Sequence, residues 1–202
     1  MYVARILYPV KVLGPGKRIG IWFSGCKHHC KGCSNPELWD FHEKYRVSLD
    51  IVLDLISRIV ENNVVDGFTL TGGDPFEQPK ALRLLLPELI KISDDILIYT
   101  GYEFDDINAN YEDLLSYVSV IIDGKYIESK NNNCILRGSD NQRIIILQDK
   151  YQEHYQNYLL HVTNEIQNFT CRDGVISVGI HEPNYIDILD QILMVKGLKK
   201  NE

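Results

Sequence analysis

At 202 residues, 45% apolar and 24% charged, the chain suits one domain around one hydrophobic core, and its composition is that of a folded globular protein. Its formal net charge of -7 argues against a surface built mainly to hold nucleic-acid phosphate. No stretch approaches the apolar length of a membrane span, and Met1 to Pro9 lacks the basic region and cleavage site of a signal peptide, so a cytoplasmic protein is expected.

An apolar run from Ile19 to Ser24, bounded by Gly16 and Gly25, predicts a buried strand. After a cysteine-bearing loop, Ser48 caps a predicted helix in which Ile51, Val52, Leu55, Ile56 and Ile59 fall at helical spacing, ending near Asn62-Asn63. A second strand, Phe68 to Leu70, stops at Thr71-Gly72-Gly73-Asp74-Pro75, and a leucine-rich helix follows from Pro79 to Ile92. The third strand, Ile96 to Tyr99, stops at Thr100-Gly101. A short helix around Tyr111 to Tyr117 then leads to the fourth, Val118 to Ile122, which stops at Asp123-Gly124.

This alternation predicts βαβ units and an α/β fold with a parallel sheet, open or curled into part of a barrel. Beyond Asp123 the pattern loosens, with apolar runs at Ile144 to Leu147, Tyr158 to Val162 and Val175 to Ile180 and a final helix over Tyr185 to Val195. Residues 1–147 read as the core, and 148–202 as a small β-rich extension packed on it rather than an independent domain. Four strands stop in glycine beside Cys, Thr or Asp, and in parallel α/β folds that edge carries the active site.

Five cysteines, three of them in the eight residues Cys26-Lys27-His28-His29-Cys30-Lys31-Gly32-Cys33, do not make a disulfide framework. Cys134 and Cys171 stand alone and read as small apolar fillers or passive thiols. Three soft thiolates directly after a strand suit an iron-sulfur cluster with one open iron; the competing structure is a zinc knot with His28, His29 or a distant cysteine as fourth ligand. No second Cys-x2-Cys or His pair supports the zinc alternative.

The cysteine loop has company. Gly14-Pro15-Gly16, SGCKHHCKGCSNPELW (Ser24 to Trp39), TLTGGDPF (Thr69 to Phe76), YTGY (Tyr99 to Tyr102), DGKY (Asp123 to Tyr126) and LRGSDNQR (Leu136 to Arg143) occur in that order. Together, from about Tyr8 to Arg143, they resemble the activating proteins of anaerobic ribonucleoside-triphosphate reductase, a family of radical S-adenosylmethionine (SAM) enzymes.

The resemblance implies a partial (β/α) barrel of parallel strands and one [4Fe-4S] cluster on Cys26, Cys30 and Cys33, cleaving SAM to a 5'-deoxyadenosyl radical. It implies that Gly72, Gly73 and Asp74 bind the methionyl amino group through their main chain. It further implies that Lys125 meets the methionyl carboxylate, with Asp123 organising the site. Tyr102, Arg137, Asn141 and Gln142 lie in shared motifs without an assigned role. The partner would be a glycyl-radical enzyme, and a flavodoxin-like protein would donate the electron. The sixty or so residues past LRGSDNQR depart from the family pattern and leave open a second target: a peptide, nucleotide or small metabolite. A non-catalytic metal-binding module is the remote alternative.

Overall fold

The computed structural model describes residues 1–171, 174–183 and 185–195. It begins with a strand that the apolar pattern does not announce. β1 (Val3–Val10) runs antiparallel to β2 (Arg18–Phe23), the strand expected at Ile19 to Ser24. Val3, Ile6 and Tyr8 of β1 pack on one core and Ala4 and Leu7 on another, so both faces are half-buried and no polar face marks the strand.

The remaining expected strands are β3 (Gly67–Gly72), β4 (Ile96–Tyr99) and β5 (Val120–Asp123), each parallel to its predecessor. An antiparallel edge strand, β6 (Arg143–Ile146), completes a six-stranded sheet in sequence order. The architecture is mixed α/β with a largely parallel central sheet.

Three helices follow β2, β3 and β4. In α1 (Leu49–Val60) the Ser48 hydroxyl accepts from the Ile51 N–H at 3.4 Å, as the capping pattern predicts, and Val52 and Ile56 are buried. α2 (Pro79–Leu89) opens on proline and buries Leu82, Leu85, Leu86 and Leu89. α3 (Phe104–Leu115) starts earlier than the helix expected around Tyr111 to Tyr117, and Tyr111 instead marks a kink inside it. The missing start signal is tertiary: the Phe104 N–H donates to the Asp123 carboxylate at 2.8 Å, and Glu103 at the N-cap supplies no side-chain bond.

Ile19, Ile21, Phe23, Phe68, Leu70, Ile96, Ile98 and Ile121 pack on the helices from one sheet face. The other face is covered by the chain beyond β6. There α4 (Gln152–His161) brings Tyr155 against Leu97, Val120 and Ile122, while the hairpin β7 (Gln167–Cys171) and β8 (Gly174–Val178) brings Val178 against Val10, Leu13 and Trp22. Cover on both faces is why the central strands read as continuous apolar runs.

The chain beyond β6 is therefore helix, hairpin and a last helix, α5 (Tyr185–Val195), more mixed than the β-rich extension expected. Tyr158 to Leu160 belong to α4 and not to a strand, because Tyr155, Tyr158 and Leu159 recur at helical spacing and meet the sheet together. Residues 196–202 of that extension lie outside the described residues. Among the described residues, no helix is long and apolar enough to cross a membrane.

Candidate iron-sulfur site

The four glycine-marked stops come together at the carboxyl edge of β2 to β5. A cavity of about 380 Å³ lies there, and Cys26, Cys30, Cys33, Gly72, Gly73 and Asp74 all line it. The cysteine loop and the glycine loop are stitched main chain to main chain. Gly73 N–H donates to Phe23 O and Asp74 N–H to Gly25 O, both at 2.8 Å; Gly25 N–H in turn reaches Leu38 O at 2.8 Å and Cys26 N–H reaches Trp39 O at 2.7 Å. A Cβ on Gly73 would stand 2.4 Å from the Gly25 carbonyl oxygen, and one on Gly72 would stand 2.5 Å from that of Phe23. Close approach to the neighbouring loop thus requires glycine at both positions, whatever ligand lies above them.

Side chains lock the same contact. Lys27 pairs with Glu77 at 2.8 Å, the His28 Nε2 lies 3.0 Å from Asp74 Oδ2, and the His29 ring stacks on Trp39 with centroids 4.8 Å apart. Burial opposes ionisation of Glu77, but hydrogen bonds from Lys27 and Tyr102 outweigh it and hold its carboxyl below the usual range. Neither histidine is placed as a fourth metal ligand by these contacts.

Burial pushes the Cys26 thiol up to about 11. It raises Cys33 as well, against the Asn35 N–H and the Trp39 indole, which both act on that sulfur in the opposite direction. The Trp39 N–H is buried and makes no hydrogen bond of full geometry. An uncommitted donor beside a sulfur fits a thiolate, which accepts more strongly than a thiol. Among the described residues, no three Cys, His, Asp or Glu side chains converge on one point as a single metal ion demands. A cubane would give each of the three thiolates its own iron and leave the fourth iron open, and three soft sulfur donors with an uncommitted N–H beside them suit that cluster.

The other expected residues divide. Asp123 is fully buried, but its carboxylate is committed to the Phe104 N–H and to Arg143, whose Nε lies 3.0 Å away, and it does not line the cavity. Lys125 is exposed and also outside the lining, although its neighbours Gly124 and Tyr126 belong to it. Tyr102 donates to Glu77. Arg137 bonds the carbonyls of Asp140 and Gln142 at 3.2 and 3.1 Å and so pins its own loop. Asn141 and Gln142 tie that loop to Lys125 O and Gly124 O, each at 2.8 Å.

Sequence reasoning missed two contributors. The first is the pair Trp39 and Glu77, which lie inside or beside the quoted motifs, yet nothing local shows what they touch. The second is the end of β8 and the segment after it: Val178, Ile180, His181 and Glu182 line the same cavity as the cysteines. Asn131 holds the His181 carbonyl at 2.8 Å, Asn133 holds the Glu182 carboxylate at 3.0 Å, and the His181 ring stacks on Tyr185. Burial lowers the pKa of His181, which favours the neutral ring.

A largely parallel α/β sheet with three clustered thiols at its active edge defines a single-cluster iron-sulfur protein. Residues 12–145 match the family described as a 4Fe-4S single cluster domain. The chain is 38% identical over 143 residues to the anaerobic ribonucleoside-triphosphate reductase-activating protein of Enterobacteria phage T4, covering 68% of this chain and 90% of the relative. It is 36% identical over 147 residues to the protein of that name from Haemophilus influenzae, covering 68% and 93%, and 30% identical over 147 residues to that of Escherichia coli K12, covering 67% and 92%. The chain belongs to the family of anaerobic ribonucleoside-triphosphate reductase-activating proteins.

Proposed function

We propose that this protein is a radical SAM activase that installs a glycyl radical on an anaerobic ribonucleotide reductase or a similar partner enzyme. The observation that carries the reading is the single cavity in which the three clustered thiols meet the Gly72-Gly73-Asp74 main chain. When bound, the cluster supplies one electron to the SAM sulfonium, yielding methionine and a 5'-deoxyadenosyl radical that takes a hydrogen atom from a partner glycine.

The chain's own residues do the rest. Cys26, Cys30 and Cys33 hold the cluster, and the main chain of Gly72 to Asp74 receives the methionyl ammonium. Lys125, exposed between two lining residues, carries the flexible cation for the methionyl carboxylate. Asp123 acts one step away, by fixing the Arg143 strand and the start of α3. Hydrophobic cover on the sheet excludes water from below, where Trp22 and Leu13 line the floor of the cavity. The electron comes from an external flavodoxin-like donor.

The sheet is read as the partial barrel of the radical SAM type. Residues 1–147 and 148–202 are read as one folding unit, supported by Tyr155 and Val178, which are buried against the sheet. Reduced, clustered cysteines suit the cytoplasm.

The test is anaerobic reconstitution followed by reduction and addition of SAM, with release of 5'-deoxyadenosine expected. A glycyl-radical EPR doublet should then appear on an anaerobic reductase mixed with the activase. Absence of 5'-deoxyadenosine from the reconstituted, reduced protein overturns the reading. A second reading, direct modification of a peptide, nucleotide or small metabolite, is favoured by the segment after β8 that walls the cavity. A modified small product with no doublet on the reductase would select it.

A further inference from the structure

The Asp74 carboxylate is 1% exposed and gathers four donors from three loops. Phe76 N–H reaches Oδ1 at 3.0 Å, Gly101 N–H reaches Oδ2 at 2.9 Å, the Thr100 hydroxyl lies 3.1 and 3.0 Å from the two oxygens, and His28 Nε2 lies 3.0 Å from Oδ2. A carboxylate offers about four lone-pair sites. The Asp74 side chain is therefore saturated by its own protein and has no oxygen left for a ligand ammonium.

His28 is the one donor of this set that comes from the cysteine loop. Its side chain is 8% exposed, edge-on to Tyr102 with ring centroids 4.6 Å apart. Its other flank presses on Gly101, where a Cβ would stand 2.4 Å from His28 Cδ2. The ring can neither turn nor withdraw without breaking that fit. Of the other two spacer residues, Lys27 is 77% exposed and pairs with Glu77, beyond the Gly72 to Asp74 loop. His29 stacks on Trp39, which follows the cysteine loop itself.

We infer that His28 is a positioning residue that sets the cysteine loop against the cofactor loop, with Asp74 acting as the hub of that contact and not as a side-chain ligand of the cofactor. The inference rests on the radical SAM reading above. It assigns the spacer between Cys26 and Cys30 a task beyond spanning the distance: its middle residue fixes how the cysteine loop, which would hold the cluster, sits against the Gly72 to Asp74 loop.

The test compares anaerobically reconstituted wild type, His28→Ala and His28→Gln, the last keeping an N–H donor able to reach Asp74. Iron content, SAM affinity and the SAM-induced change in the EPR spectrum of the reduced cluster are read for each. The alanine variant is expected to hold iron yet bind SAM at least about tenfold more weakly, with a diminished spectral change, as loss of a hydrogen bond to a charged group predicts. The glutamine variant should recover to within about threefold of wild type. Should His28→Ala take up no cluster, the glutamine variant decides, and recovery of both iron and SAM affinity supports the inference. Wild-type affinity and spectral change in His28→Ala overturn it, as does a glutamine variant no better than alanine. Wild-type protein that holds a cluster but binds no SAM overturns the functional reading itself.

Discussion

Tyr155 donates a hydrogen bond of 2.7 Å to Oδ1 of Asp95, joining α4 to the foot of the sheet across sixty residues of chain. The same carboxylate pairs with the fully buried Arg18 at 2.6 Å and accepts from Ser119 at 2.8 Å. Removing one donor from a buried, charged acceptor costs about 1–3 kcal/mol. Tyr155→Phe should lower the unfolding free energy by that amount, read as a lower urea midpoint with the slope unchanged, in one transition that includes the residues beyond β6. A separate minor transition carrying the whole loss would show that residues 148–202 unfold on their own.

Gly73→Ala places a methyl group 2.4 Å from one backbone oxygen and 2.9 Å from another, Leu38 O. Neither oxygen belongs to a flexible side chain, so the loops must part. We expect a loss of about 1–3 kcal/mol in denaturant melts and a lower iron content after reconstitution. Full iron uptake and wild-type stability would show that the two loops need no such contact.

Replacing Cys26, Cys30 or Cys33 singly by serine should abolish the visible absorption of the reconstituted cluster and SAM cleavage, leaving far-UV circular dichroism unchanged. Cys134→Ser and Cys171→Ser should retain both. Cys134 contacts Asn132 and Arg137, and Cys171 is exposed on the hairpin; their contacts place neither with the three clustered cysteines. Loss of the cluster in either of these two variants would contradict the three-ligand assignment.

Glu77 titrates below its usual value in the folded protein because Lys27 and Tyr102 bond its ionised form against the opposing effect of burial. Its contribution to stability is present above the unfolded carboxylate pKa of about 4.3 and disappears as pH falls through the lower folded value. Wild type should therefore exceed Glu77→Gln in melting temperature at pH 7, and the gap should close as the pH is lowered past about 4. A gap independent of pH would assign the effect to packing.

Much of the site is legible locally. The Cys26-x3-Cys30-x2-Cys33 spacing and the strand stops at Gly72, Gly101 and Gly124 are properties of short segments, and parallel topology brings those stops to one edge. Asp123 shows the limit. Its place in a strand-ending motif is readable, but its commitment to Arg143 and Phe104 depends on residues on either side of it in sequence, and this leaves its carboxylate outside the cavity. β1 escaped notice for a related reason, since a strand half-buried on both faces has no alternation to read.

By itself, then, the sequence determined the donor set, the order of β2 to β5 with α1 to α3 between them, and the family, because ligand spacing, apolar periodicity and glycine punctuation act over a few residues. Tertiary structure decided what each functional side chain faces. It made the Asp74 side chain a saturated hub, seated His28 upon it, and brought the segment after β8 to the cavity wall. Apart from the local bond from Phe76 N–H to Asp74, those contacts join residues between 26 and 147 positions apart, as Gly101 meets Asp74 at 27 and His181 meets Ser34 at 147, and no local propensity encodes them.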